Sequence, residues 1–358
     1  MKFAEVLEIK NGKNQKQVED ADGKYPIYGS GGIMGWAIDY ICPAETVIIG
    51  RKGTINNPIY VDTPFWNVDT AFGLVADKNI LLPKYLYYFC KHFDFLALNT
   101  TVTIPSLTKA NLLKIDIPIP NMDEQRYIIG VLDDVENLIE IKTKEKSELD
   151  NLVKSRFIEM FGDPMCNSKN YELSTYGRLF ELNAGGTPSK QKNEYWDDGN
   201  ISWIGSNMCQ NTVIYENDGK YITQAGYDNS SARLFPIDTV LIALVGATIG
   251  KTALLKFETT TNQNVLGVRG IKESGNNPYF VFYYTQGLHR KFLNIGDGGF
   301  NMASKDFVSK LPFPIVEIEH QNQFATFVEQ TDKLKLAAQE TLNELEILKK
   351  SLMQKYFG

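Results

Sequence analysis

The stretch with the strongest chemical look is Gly246-Ala-Thr-Ile-Gly-Lys-Thr252, which follows the apolar run Thr239–Val245. Backbone amides, a lysine and a hydroxyl set this way can wrap a phosphate. A phosphate loop needs four residues between its first glycine and the Gly-Lys pair, and here there are three. The matching stretch of the first half, Gly50-Arg-Lys-Gly-Thr54, has no such pattern. The reading is therefore a tight turn that presents Lys251, with no nucleotide hydrolysis. His92, His289 and His320 are isolated, and Cys42, Cys90, Cys166 and Cys209 form no C-x-x-C pair. That excludes a sequence-encoded zinc site and a disulfide framework. No Ser/His/Asp or Cys/His set can be assembled, and no carboxylates pair, so the metal and catalytic assignments are none. A chain of this size without catalytic machinery points to recognition.

A second decoy, Asn277-Pro278-Tyr279-Phe280, is similar to the Asn-Pro-Pro-aromatic signature of amino-methyltransferases but lacks the second proline. It reads as a turn before a helix. At 358 residues, with 43% hydrophobic and 12% aromatic side chains, the chain should fold into two compact units. Its N-terminus lacks the apolar run of a signal peptide, and no stretch approaches a membrane span of about 20 apolar residues. The expected location is cytoplasmic. The net charge of −6 looks unfavourable for a nucleic-acid partner, yet residues 1–120 carry 12 basic and 12 acidic side chains and residues 166–317 carry 14 of each. Both large segments are neutral, and a neutral domain can still present one basic face.

The elements that must position any site follow from an internal repeat. Shifting the chain by 196 residues places Lys114 on Lys310, Pro118 on Pro314, Gln125 on Gln321, Leu138 on Leu334, Leu152 on Leu348 and Phe161-Gly162 on Phe357-Gly358, without a gap. The order is domain, helix, domain, helix. We expect a first domain over 1–120, a helical spacer over 121–165, a second domain over 166–317 and a second spacer over 318–358. Each spacer follows a Pro-punctuated strand, Ile115–Pro120 or Leu311–Val316. Apolar residues then recur at three- and four-residue steps, interrupted in the first copy by a charged turn at Lys142–Lys146, and the first helix should stop at Gly162 before Pro164. The two stripes should pack on each other as an antiparallel coiled coil through Val135, Leu138, Leu149, Leu152, Leu334, Leu345, Leu348 and Leu352. Forty residues make a rod of about 60 Å. The domains themselves read as mixed α/β, giving an α+β fold overall, with strands at Thr46–Gly50, Ile59–Val61, Thr239–Val245 and Val265–Val268 and aromatic helices at Leu82–Phe89 and Pro278–Tyr284.

With these residues in view, the chain resembles the DNA-specificity subunit of Type I restriction-modification systems over its full length. The segments that carry the likeness are Tyr25-Pro-Ile-Tyr-Gly-Ser-Gly-Gly32, Ile49-Gly-Arg-Lys-Gly53 and Phe65-Trp-Asn-Val-Asp69, then Gly185-Gly-Thr-Pro-Ser189, Tyr195-Trp196, Ile201-Ser-Trp203 and Asn262-Gln-Asn264. The resemblance implies two target-recognition domains, no cofactor and no catalysis. It also implies double-stranded DNA as ligand, with docking of two methyltransferase subunits that methylate adenine and of ATP-driven restriction subunits. A bipartite target with a fixed unread gap is implied too, and a 60 Å rod would hold that gap below about 18 base pairs. A Type II-like specificity module and a DNA- or protein-binding scaffold are the alternatives. Arg and Lys hold phosphates, while amides and hydroxyls read base edges. The expected DNA contacts are accordingly Ser30, Arg51, Lys52, Thr54, Lys91 and Thr103 in the first domain. In the second they are Ser189, Lys190, Lys192, Ser206, Asn207, Lys251, Gln263, Arg290 and Lys305. Four residues inserted at Lys142–Lys146 should lengthen the gap and leave both half-sites unchanged.

Overall fold

The computed structural model describes residues 1–98, 106–270, 275–295 and 302–358. Its packing divides into two units, residues 1–145 with 338–358, and residues 146–337. In the first unit a short helix α1 (Phe3–Val6) leads into β1 (Leu7–Asn11), followed by β2 (Tyr25–Gly29), β3 (Gly32–Ala37), β4 (Thr46–Gly50), β5 (Ile59–Val61), β6 (Trp66–Asn67) and β7 (Ala71–Ala76). An antiparallel sheet runs in the order β1-β7-β4-β5, and the apolar strand β4 is buried along its whole length, as an interior strand must be. A second sheet, β3-β2-β6, pairs β2 parallel to β6 and leaves β3 at its edge. Helix α2 (Pro83–His92) opens on a proline, whose missing N–H is no loss in a first turn, and α3 (Lys109–Leu112) is capped by Thr108. Phe3, Val47, Ile49, Phe72, Leu74, Tyr85 and Phe89 form the core.

Helix α4 (Met122–Phe161) is continuous over 40 residues. The turn expected at Lys142–Lys146 is absent: these residues are helical, since all but Thr143 are good helix formers, Thr143 bonds back to the Ile139 carbonyl, and the Lys142–Glu145 pair bridges one turn. The helix ends as predicted, with Gly162 in the left-handed region at φ 79° and its N–H bonded to the Ile158 carbonyl.

The second unit contains β8 (Leu173–Thr175), α5 (Tyr176–Leu179), β9 (Phe180–Ala184), β10 (Ile201–Ile204), β11 (Thr212–Ile214), β12 (Tyr221–Ile222), α6 (Gln224–Asp228), β13 (Leu234–Phe235), β14 (Val240–Ala243), β15 (Thr252–Leu255), β16 (Thr259–Thr261) and β17 (Val265–Gly270). Then come α7 (Pro278–Gly287), α8 (His289–Leu293), α9 (Lys305–Lys310), β18 (Pro312–Pro314) and α10 (Ile318–Phe357). Its sheets run β11-β15-β14-β17-β9 and β12-β10-β16-β13, and β18 pairs with β8. Asn277 caps α7, so the Asn-Pro decoy is a helix start. Phe157, Phe161, Tyr176, Phe280, Phe313 and Phe324 form an aromatic core.

The duplication extends past the stretch legible in the sequence. The α1-β1 pair corresponds to α5-β9, and each unit's Pro-punctuated run pairs with its own beginning, Lys2 with Asp116 and Thr175 with Pro312. Each spacer helix is pinned by a buried glutamine. Gln125 accepts from the Leu82 amide at 2.8 Å and donates to the Ile80 and Pro120 carbonyls at 2.9 Å. Gln321 accepts from the Asn277 amide at 2.8 Å and donates to the Val316 carbonyl and Asn276 Oδ1 at 2.8 and 3.1 Å.

Within each unit the two long helices run antiparallel. In the first, Ile128 and Leu132 share a core with Phe357 and Met353, and Glu136 meets Lys349 at 2.8 Å. In the second, Asp150 meets Lys335 at 2.8 Å and Phe161 packs on His320 and Phe324. The expected packing set needs correction. Val135 is buried and Leu149, Leu345 and Leu352 are half-buried, but Leu138, Leu152, Leu334 and Leu348 are exposed. A straight helix drifts by about 20° per heptad from a 3.5-residue repeat, so a leucine stripe slides off the seam. In the second unit Val153, Phe157, Phe324 and Val328 fill that role instead.

Candidate nucleic-acid interface

In both units the chain leaves the central strand in the same backbone frame. After β4 the Arg51 amide donates to the Thr70 carbonyl at 2.8 Å, and the Arg51 carbonyl accepts from Leu107 at 2.9 Å. After β14 the Leu244 amide donates to the Asn264 carbonyl at 2.8 Å, and the Leu244 carbonyl accepts from Ala303 at 2.8 Å. The next residues form equivalent antiparallel bridges, Lys52 to Ser106 and Val245 to Met302. A glycine in the left-handed region follows each, Gly53 at φ 78° and Gly246 at φ 69°. The apparent phosphate loop is thus the counterpart of the first unit's Arg-Lys-Gly turn, three residues out of the register that the 196-residue shift gives. The frame is shared and the side chains differ: Arg51 and Lys52 are exposed, whereas Leu244 is buried.

A second shared frame lies beside the first. β2 and β10 each run parallel to a short partner, Tyr28 opposite Asn67 and Ile204 opposite Thr261. Each then emerges as Gly-Ser, Gly29-Ser30 and Gly205-Ser206. A Cβ on Gly50 would lie 1.9 Å from the Thr54 carbonyl oxygen and 3.0 Å from Ser30 Cβ, so Ser30, Arg51 and Thr54 belong to one loop cluster that only glycine permits. In the second unit the Asn207 and Asn262 side chains both border Gly205. Lys251 donates to Gln210 Oε1 at 2.9 Å, Gln210 to the Asn207 carbonyl at 3.0 Å, and Thr187 to Gln263 Oε1 at 2.6 Å. One surface is cationic and glycine-rich; the other is rich in amides, which suit base edges.

A family model for the Type I restriction modification DNA specificity domain matches residues 1–151 and again residues 168–347. The chain belongs to this family. It is a DNA-binding specificity subunit of the restriction-modification kind, the non-catalytic recognition component. It is similar to the Type I restriction enzyme EcoR124I/EcoR124II specificity subunit of Escherichia coli, at 26% identity over 86% of this chain and 78% of the relative. It is also similar to the putative type I restriction enzyme MjaX specificity subunit of Methanocaldococcus jannaschii, at 24% identity over 78% of this chain and 68% of the relative. The crystal structure of the Type I S subunit from M. genitalium matches with a TM-score of 0.64 at 16% identity, covering 100% of this chain and 95% of that one. A chain of a type I R-M system solved for its complex assembly and conformational transition matches at 0.63, with 14% identity over 99% and 96%. These likenesses carry the fold.

Within this specificity subunit the expected contacts divide. Ser30, Arg51, Lys52 and Thr54 fall together, as do Ser206, Asn207 and Lys251 around Gln210. Arg51 is steadied by the Phe72 ring, 5.7 Å from its guanidinium carbon. Lys91 is instead committed to the spacer, 2.7 Å from Glu136 and over the Tyr87 ring. Lys192 lies over the Tyr195 ring and donates to its hydroxyl at 2.8 Å, while Ser189 holds the Trp196 indole through its carbonyl, with exposed Lys190 alongside. Arg290 on α8 and Lys305 at the start of α9 are exposed, and Thr103 lies outside the described residues. Thr187 stood inside the quoted Gly185–Ser189 segment but not among the expected contacts, and Gln210, three residues after Asn207, escaped the sequence reading. Arg233 and Arg269, which line a cleft of about 270 Å³ with Glu181 and Asn183, gave no signal at all.

Among the described residues no three His, Cys, Asp or Glu side chains cluster as metal ligands, and no helix is long and apolar enough to cross a membrane. Burial pushes the Cys42 and Cys209 thiols up to about 12, which leaves both as packing groups, not nucleophiles, at neutral pH.

Proposed function

We propose that each unit reads one half of a bipartite DNA target and that the long helices dock methyltransferase subunits, which the chain thereby directs to adenines in both halves; restriction subunits join that complex. One observation carries this: two backbone frames with the same hydrogen-bond and bridge pattern at the central-strand exit, and the same strand pairing before the Gly-Ser turn, present different side chains, cations in one unit and mainly amides in the other. Duplicated scaffolds with unlike loops are what two readers of unlike sequences require. The docking part rests on leucines left exposed at repeat-equivalent positions, Leu138 with Leu334 and Leu152 with Leu348. Equivalent apolar side chains on both helices suit two copies of one partner.

The test is to co-express the chain with a cognate methyltransferase subunit and map methylated adenines across the host DNA. A split motif with a constant gap supports the reading, and exchanging residues 1–120 for those of another specificity subunit should change one half of it. Co-purification without any defined motif would refute it.

A further inference from the structure

We infer that the turn of the β2–β3 hairpin is an apolar reading head, in which Ile33 and Met34 recognise the C5 methyl groups of thymine in the major groove. The inference rests on the two-half-site reading and deepens it for the first unit. Ile33 and Met34 are 58% and 61% exposed and adjacent, so the turn presents a contiguous apolar patch. The strand pairing explains their display. Ile27 faces Gly35 but Tyr28 faces Ile33, so Met34 is an extra residue in a bulge, and bulges re-aim side chains. β3 is an edge strand, and a two-stranded ribbon is a shape the major groove admits.

Three observations select DNA as the occupant. The hairpin turn is continuous with the cationic loop, because Ser30 stands against Gly50 next to Arg51 and Lys52. The two ends of the hairpin also differ. Its base is of mixed charge, with Glu19 Oε1 3.5 Å from the position of a Gly35 Cβ and Lys24 over the Tyr25 ring, whereas its tip adjoins the Arg51-Lys52 cations. Phosphate is therefore attracted chiefly at the tip. Finally, the corresponding segment after Gly205-Ser206 carries Asn207 and Gln210, which offer hydrogen bonds where Ile33 and Met34 offer only apolar contact. Among base edges in the major groove, apolar contact has one target, the thymine methyl.

The experiment uses the full chain in complex with its methyltransferase, once the methylated motif is known. A half-site methylated on adenine contains an A·T pair, so thymines in each half can be replaced by deoxyuridine, which removes only the methyl. Burying one methyl-sized group is worth about 0.8 kcal/mol, or roughly four-fold in affinity. The wild-type complex should lose about four-fold per contacted methyl in one half-site only. The variant Ile33→Ser/Met34→Ser should bind thymine and deoxyuridine duplexes equally and relax the methylated motif in that half alone. Ile38→Ser, an equally exposed apolar change at the base of the hairpin, should behave as wild type. Wild-type indifference to deoxyuridine in both halves would overturn the inference. So would an unchanged motif in the double variant, and loss of the methyltransferase from that variant with the motif intact would identify a protein-docking patch instead. A complex that methylates no defined motif would refute the two-half-site reading itself.

Discussion

The buried glutamines offer the sharpest test of how the spacers are held. Replacing Gln125 by methionine keeps the side-chain volume and removes three hydrogen bonds, to the Leu82 amide and the Ile80 and Pro120 carbonyls. Gln125 is fully buried, so the Leu82 N–H loses its partner where water does not replace it. An orphaned buried donor costs about 1–3 kcal/mol and each of the two other lost bonds about 1 kcal/mol, for a total of about 3–5 kcal/mol. In a unit of this size that lowers the melting temperature by roughly 6–20 °C. Gln321→Met should do the same in the other unit, through Asn277, Asn276 and Val316. The two sites share no partner, so the double variant should be additive within about 0.5 kcal/mol. Calorimetry gives the size of the effect, and amide hydrogen exchange locates it: Leu82 should exchange faster in the first variant only and Asn277 in the second only. If both variants melt within about 0.5 kcal/mol of wild type with unchanged exchange at these amides, the clamp is not what fixes the helices.

Glu136 should govern the acid limb of stability. Burial raises its carboxyl pKa, but Lys349 and Lys91 more than offset this and hold it below the ordinary value of 4.5. The native state therefore takes up that proton less readily than the unfolded chain, and the stabilisation is complete above pH 4.5 and fades as pH falls through the lower native value. Glu136→Gln should cost about 1 kcal/mol at pH 7, allowing for solvent screening of a partly exposed group, and should flatten acid unfolding below pH 4.5 when followed by circular dichroism. Lys52→Ala should weaken DNA binding and lower the slope of log affinity against log salt by about 0.9, measured by fluorescence anisotropy; an unchanged slope would place Lys52 away from phosphate. Gly162→Ala should destabilise the second unit by about 1–2 kcal/mol in urea, since a Cβ there meets a left-handed backbone and Ser168 Oγ at 2.4 Å.

The repeat was legible because the spacer copies kept one register, and with them the helix ends at Gly162 and Phe357. The equivalence of α1-β1 with α5-β9 was not, because insertions between the strands change the offset and few identities survive: Phe3 and Tyr176 match only as buried aromatics. Gln125 and Gln321 aligned in the sequence, yet their role depends on partners up to about forty residues away that no spacing rule reveals. The leucine stripe misled for a related reason, since local periodicity says which residues share a face but not which face meets a neighbour. At the candidate site, the glycine turns and the residues around Arg51 and Lys251 were readable from type and order. The pairing of Lys251 with Gln210 and the diversion of Lys91 to Glu136 arise only from tertiary packing.

The core of the first unit is finished by Met353 and Phe357, more than 200 residues after its other members. Phe357 lies 5.2 Å from the Tyr85 ring and 6.0 Å from Phe89, and Met353 is buried beside them. On the ribosome this makes the first unit to emerge the last to close. While residues 146–337 are being made, which takes roughly ten to forty seconds at about 5–20 residues per second, the aromatic seat for Phe357 has no occupant. The second unit has all its residues by then and needs nothing further. A proteolytic clip near residue 350 would accordingly spare the second unit, whose residues end at 337, and open the first, most of which lies before residue 146.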